Sequence, residues 1–108
     1  MSKVRHILLL QPRPDTTQEE IDACRVAVSS LVGRIPGVLD CHWGVNLAAP
    51  DRREGLSHGF SMDFSDLESL RAYGPHPEHQ SVATLVRATF ERIVVLDVEL
   101  GDGDPQHG

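Results

Sequence analysis

An α+β domain, with a four-stranded antiparallel sheet and its two long helices on one side, is the fold class this sequence predicts. Three observations predict it: four short segments of strand character, two stretches with apolar residues at three- and four-residue spacing, and their order of strand, helix, strand, strand, helix, strand. At 108 residues, 40% hydrophobic and 24% charged, the chain has the size of one core. Residues 1–100 are read as a single domain. Residues 101–108, rich in Gly and Asp, have nothing to bury and are read as a flexible C-terminal tail.

Each element has a local cause. Val4 to Leu10 is short, apolar and rich in branched side chains, and Gln11-Pro-Arg-Pro14 stops it as a strand. Thr17 and Glu20 form a capping box, so a helix starts there and buries Ile21, Cys24, Val28, Leu31, Val32 and Ile35. Pro36-Gly37 ends it. From Leu39 to Leu47 the odd positions are apolar and the even ones are not, which predicts a half-buried strand. Ala48 to Gly55 reads as a charged loop, and its Asp51-Arg-Arg-Glu54 as a solvated run. The period of two resumes at His58, Phe60, Met62 and Phe64. Ser65 and Glu68 suggest a second capping box opening a short helix through Leu67, Leu70 and Tyr73, which Gly74-Pro75 breaks. Pro77 suits the first position of a longer helix carrying Val82, Leu85, Val86 and Phe90, and Ile93 to Leu100 is the last strand.

That order matches the ferredoxin-like βαββαβ arrangement. Both parities are apolar on the first and last strands, so both faces of the sheet need cover, while one helical layer covers only one. A second copy packed sheet to sheet about a two-fold axis is the simplest solution, and a homodimer is expected.

The formal charge of −6 provides no basic field for phosphate backbones or anionic lipid, which argues against nucleic acid and membrane partners. Ile7 to Leu10 is far shorter than the roughly 20 residues of a membrane span and too short for a secretory leader. A cytoplasmic protein is expected. Cys24 and Cys41 fall on apolar positions and read as free thiols.

Some polar residues break the core pattern. His6 shares its parity with Val4, Leu8 and Leu10, and His58 with Phe60, Met62 and Phe64, so both imidazoles are expected to face inward under the helices. The segment Tyr73-Gly-Pro-His-Pro-Glu-His79 closes over that face, and its Gly74-Pro75 break lets Tyr73 and His79 turn toward one point. Each of the four also has an ordinary reading. The histidines can be satisfied core or helix-terminus groups, and Tyr73 a buried aromatic with one backbone partner. Four such groups aimed at one apolar pocket are harder to explain as packing. His76 and His79 could present two donors to one ion, but Pro77 restrains them and no cysteine completes the set, so no metal is expected.

Taken together, His6-Ile-Leu-Leu-Leu10, Ile35-Pro-Gly-Val38, Trp43-Gly44, Gly59-Phe-Ser-Met-Asp-Phe64, Tyr73-Gly-Pro-His-Pro-Glu-His79 and Val95-Leu-Asp97 resemble the stress-responsive A/B barrel domain family (Dabb) over about residues 3 to 100. The resemblance implies a dimeric α+β barrel. A few plant members are cofactor-free polyketide cyclases in which a histidine and a tyrosine of this motif promote an intramolecular aldol condensation. By motif, those positions are His79 and Tyr73, and His6 and His58 match pocket-lining, substrate-binding histidines. A neutral imidazole can take a proton alpha to a carbonyl and a phenol can stabilise the enolate oxygen, so no cofactor is expected.

The leading reading is a homodimer that binds a small carbonyl-containing or aromatic compound, with aldol-type cyclase, lyase or isomerase chemistry on the His79–Tyr73 pair. Two others stay open: a non-catalytic stress-response or binding module in which the histidines satisfy one another, and a cofactor-free monooxygenase. Whether the chain is an enzyme is undecided at this level.

Overall fold

A computed structural model describes residues 2–101, so the tail expected over 101–108 lies, beyond Gly101, outside the described residues. Its elements are β1 (Val4–Pro12), α1 (Gln18–Ser29), β2 (Val38–Val45), α2 (Pro50–Arg53), β3 (His58–Phe64), α3 (Leu67–Tyr73), α4 (Pro77–Thr89) and β4 (Phe90–Glu99). The sheet is antiparallel throughout, in the order β2-β3-β1-β4, and the fold is ferredoxin-like. Because β1 and β3 are central, side chains from both reach the middle of each face.

Helices α1 and α4 pack on each other and on one face of the sheet. Between the layers lie Leu10, Met62 and Phe64 from the strands and Cys24, Val28 and Val86 from the helices, all under 7% exposed. Thr17 caps α1 as its spacing predicts, its side chain accepting from the Glu20 N–H at 3.2 Å while the Glu20 carboxylate accepts from the Thr17 N–H at 2.9 Å. Helix α1 nevertheless ends at Ser29. Leu31 and Ile35 stay buried in turns beyond it, which reverse at Gly33 with φ +83°.

Several expected details are corrected. The cap of α3 is Asp66, whose carboxylate accepts from the Ser69 N–H at 2.8 Å, and not the Ser65/Glu68 box. Ser65 is held elsewhere: its N–H donates to the Gly37 carbonyl at 2.9 Å and its hydroxyl lies 3.1 Å from that of Ser69. Gly37 has φ +89°, and a Cβ there would run into Ser69, so this glycine lets the turn before β2 approach α3. The charged 48–55 loop contains the helical turn α2. Strand β4 begins at Phe90, which is a buried strand residue and not the end of the preceding helix.

The alternation expected over Leu39 to Leu47 holds only in part. A register shift between Val38 and Asp40 turns Leu39 outward, and Leu47, past the end of β2, is 88% exposed. Cys41 and Trp43 do pack against the core. The face of the sheet away from the helices carries Ile7 and Leu9 from β1 and Val94, Leu96 and Val98 from β4, with Leu96 55% exposed in the single chain.

Candidate functional site

The site starts from cross-strand register. His6 on β1 lies opposite Met62 on one side and Asp97 on the other, so all three share the face beneath the helices. His6 Nδ1 is 2.5 Å from Asp97 Oδ1. A carboxylate can only accept, so Nδ1 carries the proton of this bond and Nε2 is left for other partners. The imidazole meets Phe64 and Tyr73 edge to face, with ring centroids 6.0 and 6.1 Å away.

Tyr73, 4% exposed, is the last residue of α3 and packs edge-on against Phe64 at 4.9 Å. Beyond it Gly74-Pro75 interrupts the helix. His76 then caps α4, its Nδ1 accepting from the Glu78 N–H at 3.2 Å, with Pro77 at the first helical position. The restart turns His79 back over Tyr73, and their ring centroids are 4.1 Å apart. His79 Nδ1 lies 2.8 Å from the Gly74 carbonyl, which also accepts from Gln80 Nε2 at 2.8 Å. The Tyr73 hydroxyl makes no hydrogen bond to a described residue.

These rings border a cavity of about 370 Å³ between sheet and helices, whose walls are otherwise mainly apolar, including Leu8, Leu70, Val82 and Ile93. Burial pushes the Tyr73 phenol well above its ordinary pKa, with nearby Cys41 adding to the effect, so the hydroxyl keeps its proton and acts as a donor. Burial lowers the pKa of His79. The bond to Gly74 opposes that shift, while His6, Arg87 and His76 add to it, so the imidazole is held neutral at pH 7.

The structure thus brings His6, Tyr73 and His79 together and leaves His58 out. His58 lies on the inward row of β3, but opposite Leu10, four residues along β1 from His6 and so roughly 13 Å away along the sheet. Its Nδ1 is 2.8 Å from the Ser57 hydroxyl, and it borders a shallow groove with Trp43 and Asp22. Inward parity put it on the correct face at the wrong end. Sequence reasoning gave no role to two lining residues, Asp97 and Arg87. The signal for Asp97 was a single acid in the run Ile93 to Val98. Its partner emerges only from strand register.

Comparison with known proteins places this architecture. The chain is 30% identical over 97 residues to the stress-response A/B barrel domain-containing protein At5g22580 of Arabidopsis thaliana, covering 89% of this chain and 85% of the relative. It is 24% identical over 94 residues to olivetolic acid cyclase of Cannabis sativa, covering 87% and 93%. Among solved structures it resembles a dimeric ferredoxin-like protein from Jannaschia sp. CCS1 at a TM-score of 0.80 and 25% identity, covering 91% of this chain and 99% of that one. It shares the fold of hydroxynitrile lyase from Passiflora edulis at a TM-score of 0.83 and 24% identity, covering 95% and 97%. The model of the stress responsive A/B barrel domain matches residues 4–100, and the chain belongs to that family.

Proposed function

We propose that this protein is a cytoplasmic homodimer that binds a small, partly apolar carbonyl compound and moves a proton at the carbon next to the carbonyl, as a cyclase, lyase or isomerase would. The observation that carries the reading is the Tyr73–His79 ring pair, 4.1 Å apart at the wall of a mainly apolar cavity, one with an unbonded hydroxyl and the other with Nδ1 tied to Gly74. With Nδ1 donating to that carbonyl, the lone pair of neutral His79 is on Nε2. His79 takes the α-proton as the C–H bond breaks, and the electron pair moves onto the carbonyl oxygen. The Tyr73 hydroxyl donates to that enolate, and His6, fixed by Asp97, orients the ligand.

One curated relative is by name a cyclase, olivetolic acid cyclase, which supports reading the cavity as a site of chemistry on a small molecule. The uncovered apolar sheet face and the dimeric neighbour support the homodimer. The free thiols of Cys24 and Cys41 suit a reducing compartment.

Proton exchange tests the reaction without its natural substrate. With 4-phenyl-2-butanone in D₂O, the intact protein should speed loss of the methyl proton signal beside the carbonyl, because each proton taken by His79 is replaced by deuterium from solvent. His79→Ala should abolish the acceleration, and Tyr73→Phe should reduce it roughly 10²-fold or more, the scale of a lost oxyanion donor. Exchange no faster than in buffer, or equal rates in native and His79→Ala protein with fold unchanged by circular dichroism, would contradict the reading.

A further inference from the structure

The cavity wall holds one permanent cation, Arg87, that no acid of the described residues neutralises. Arg87, like Arg52 and Arg71, forms no ion pair or side-chain hydrogen bond with a described residue, but of the three it alone lines the cavity. The acid in the same lining, Asp97, is engaged by His6. Arg87 follows His79 along one stripe of α4, through Val82, Ala83 and Val86, at spacings of three and four. Eight residues of helix are roughly 12 Å of rise, and an arginine side chain leans back toward the helix N-terminus, which shortens the gap to His79.

The main chain at Arg87 is also fixed. Arg13 donates from Nε to the Ala88 carbonyl and from Nη2 to the Arg87 carbonyl, both at 3.0 Å, clamping the end of α4 to the segment after β1. A cation in the last turn suits the helix dipole, but that role needs only a charge, and it does not require a place on a cavity wall. In a protein of net charge −6, an unpaired guanidinium beside an apolar hollow is a local attractor for anions.

We propose that Arg87 is the anion-recognition residue of this site, and that its ligand carries a carboxylate at the end away from the carbonyl that faces Tyr73 and His79. The proposal rests on the carbonyl-binding reading above and narrows it to keto acids and related oxo-carboxylates. The planar fork of Arg87 holds the carboxylate at the mouth, and the apolar walls hold the body between the two ends.

Calorimetric titration with 4-acetylbenzoate and its methyl ester tests this. Both carry the same ketone, and only the acid carries the charge. Native protein should bind the acid about tenfold more tightly than the ester, the scale of one charge-assisted hydrogen bond, and added salt should erode that preference. Arg87→Gln should bring the acid down to the ester's affinity and leave the ester unchanged. Arg87→Lys, which keeps the charge at the helix end, should retain part of the preference. Equal native affinities, or loss of ester and acid binding together in Arg87→Gln protein of native circular dichroism, would overturn the assignment and leave carbonyl binding standing. Binding of neither compound by native protein would overturn both readings.

Discussion

His79 Nδ1 lies 2.8 Å from the Gly74 carbonyl across the break between two helices. The acceptor can only be a carbonyl oxygen, so the bond selects the tautomer with the proton on Nδ1 and leaves Nε2 as the basic nitrogen. Proline, glycine and histidine are thus coupled: the break that costs a helix its continuity supplies the acceptor that orients the imidazole.

One consequence is a pH signature. Burial lowers the pKa of His79 from its ordinary 6.5, so just below pH 6.5 the unfolded chain binds more protons at this residue than the folded one. The stabilisation is complete above pH 6.5 and declines as pH falls toward the lowered folded value. NMR should find His79 titrating below 6.5. Urea unfolding of native and His79→Gln protein should show the native losing more stability between pH 7.5 and 5. A midpoint above 6.5 contradicts the assigned environment.

Asp97 should act through His6. Asp97→Asn removes the carboxylate that holds Nδ1, leaving the ring free to change tautomer and orientation. Ketone exchange by this variant should fall about tenfold or more, with thermal unfolding shifted little because Asp97 is exposed. Asp97→Glu should recover part of the rate. A variant with native exchange would show that His6 needs no such anchor.

How much of this was legible in the sequence follows from the range of the forces involved. The strand and helix order and the Thr17–Glu20 cap rest on neighbours two to four residues apart, and these stand, whereas the Ser65–Glu68 box, equally local in spacing, yields to Asp66. The inward faces of His6 and His58 follow from the period of two, but parity fixes only the face. Antiparallel pairing then separates the two by four positions, and no local pattern encodes that offset. The Asp97 partnership and the placement of Arg87 on the cavity wall are likewise products of register and helix packing. Leu39 failed for a related reason, since a bulge shifts parity without leaving a mark in hydrophobicity.

The cap of α3 offers a direct stability test. Asp66 accepts from the Ser69 N–H, a bond that holds its carboxyl below the usual carboxylate range. Asp66→Ala should lower the urea unfolding midpoint at pH 7, as loss of an N-cap does, while Glu68→Ala should lower it much less. The Asp66 contribution is present above its unfolded pKa and disappears as pH falls through the lowered folded value. The opposite ranking would restore Ser65 and Glu68 as the cap.

The last expectation concerns the sheet face that no helix covers. Ile7 and Leu9 lie next to Val94, Leu96 and Val98 across the β1–β4 ladder, an apolar stripe of a kind that soluble monomers seldom leave wet. At its margin Arg5 and Asp63 form a two-pronged ion pair with contacts of 2.8 and 3.0 Å, an ordered polar edge to the stripe. Leu96→Glu places a charge in the middle of the stripe, where a second sheet would bury it without a partner. Sedimentation should show native protein at twice the chain mass and the variant at the chain mass, with the His79 titration unchanged because the cavity is on the opposite face. A native monomer, or a variant that still dimerises, would mean that something other than a second sheet covers Leu96.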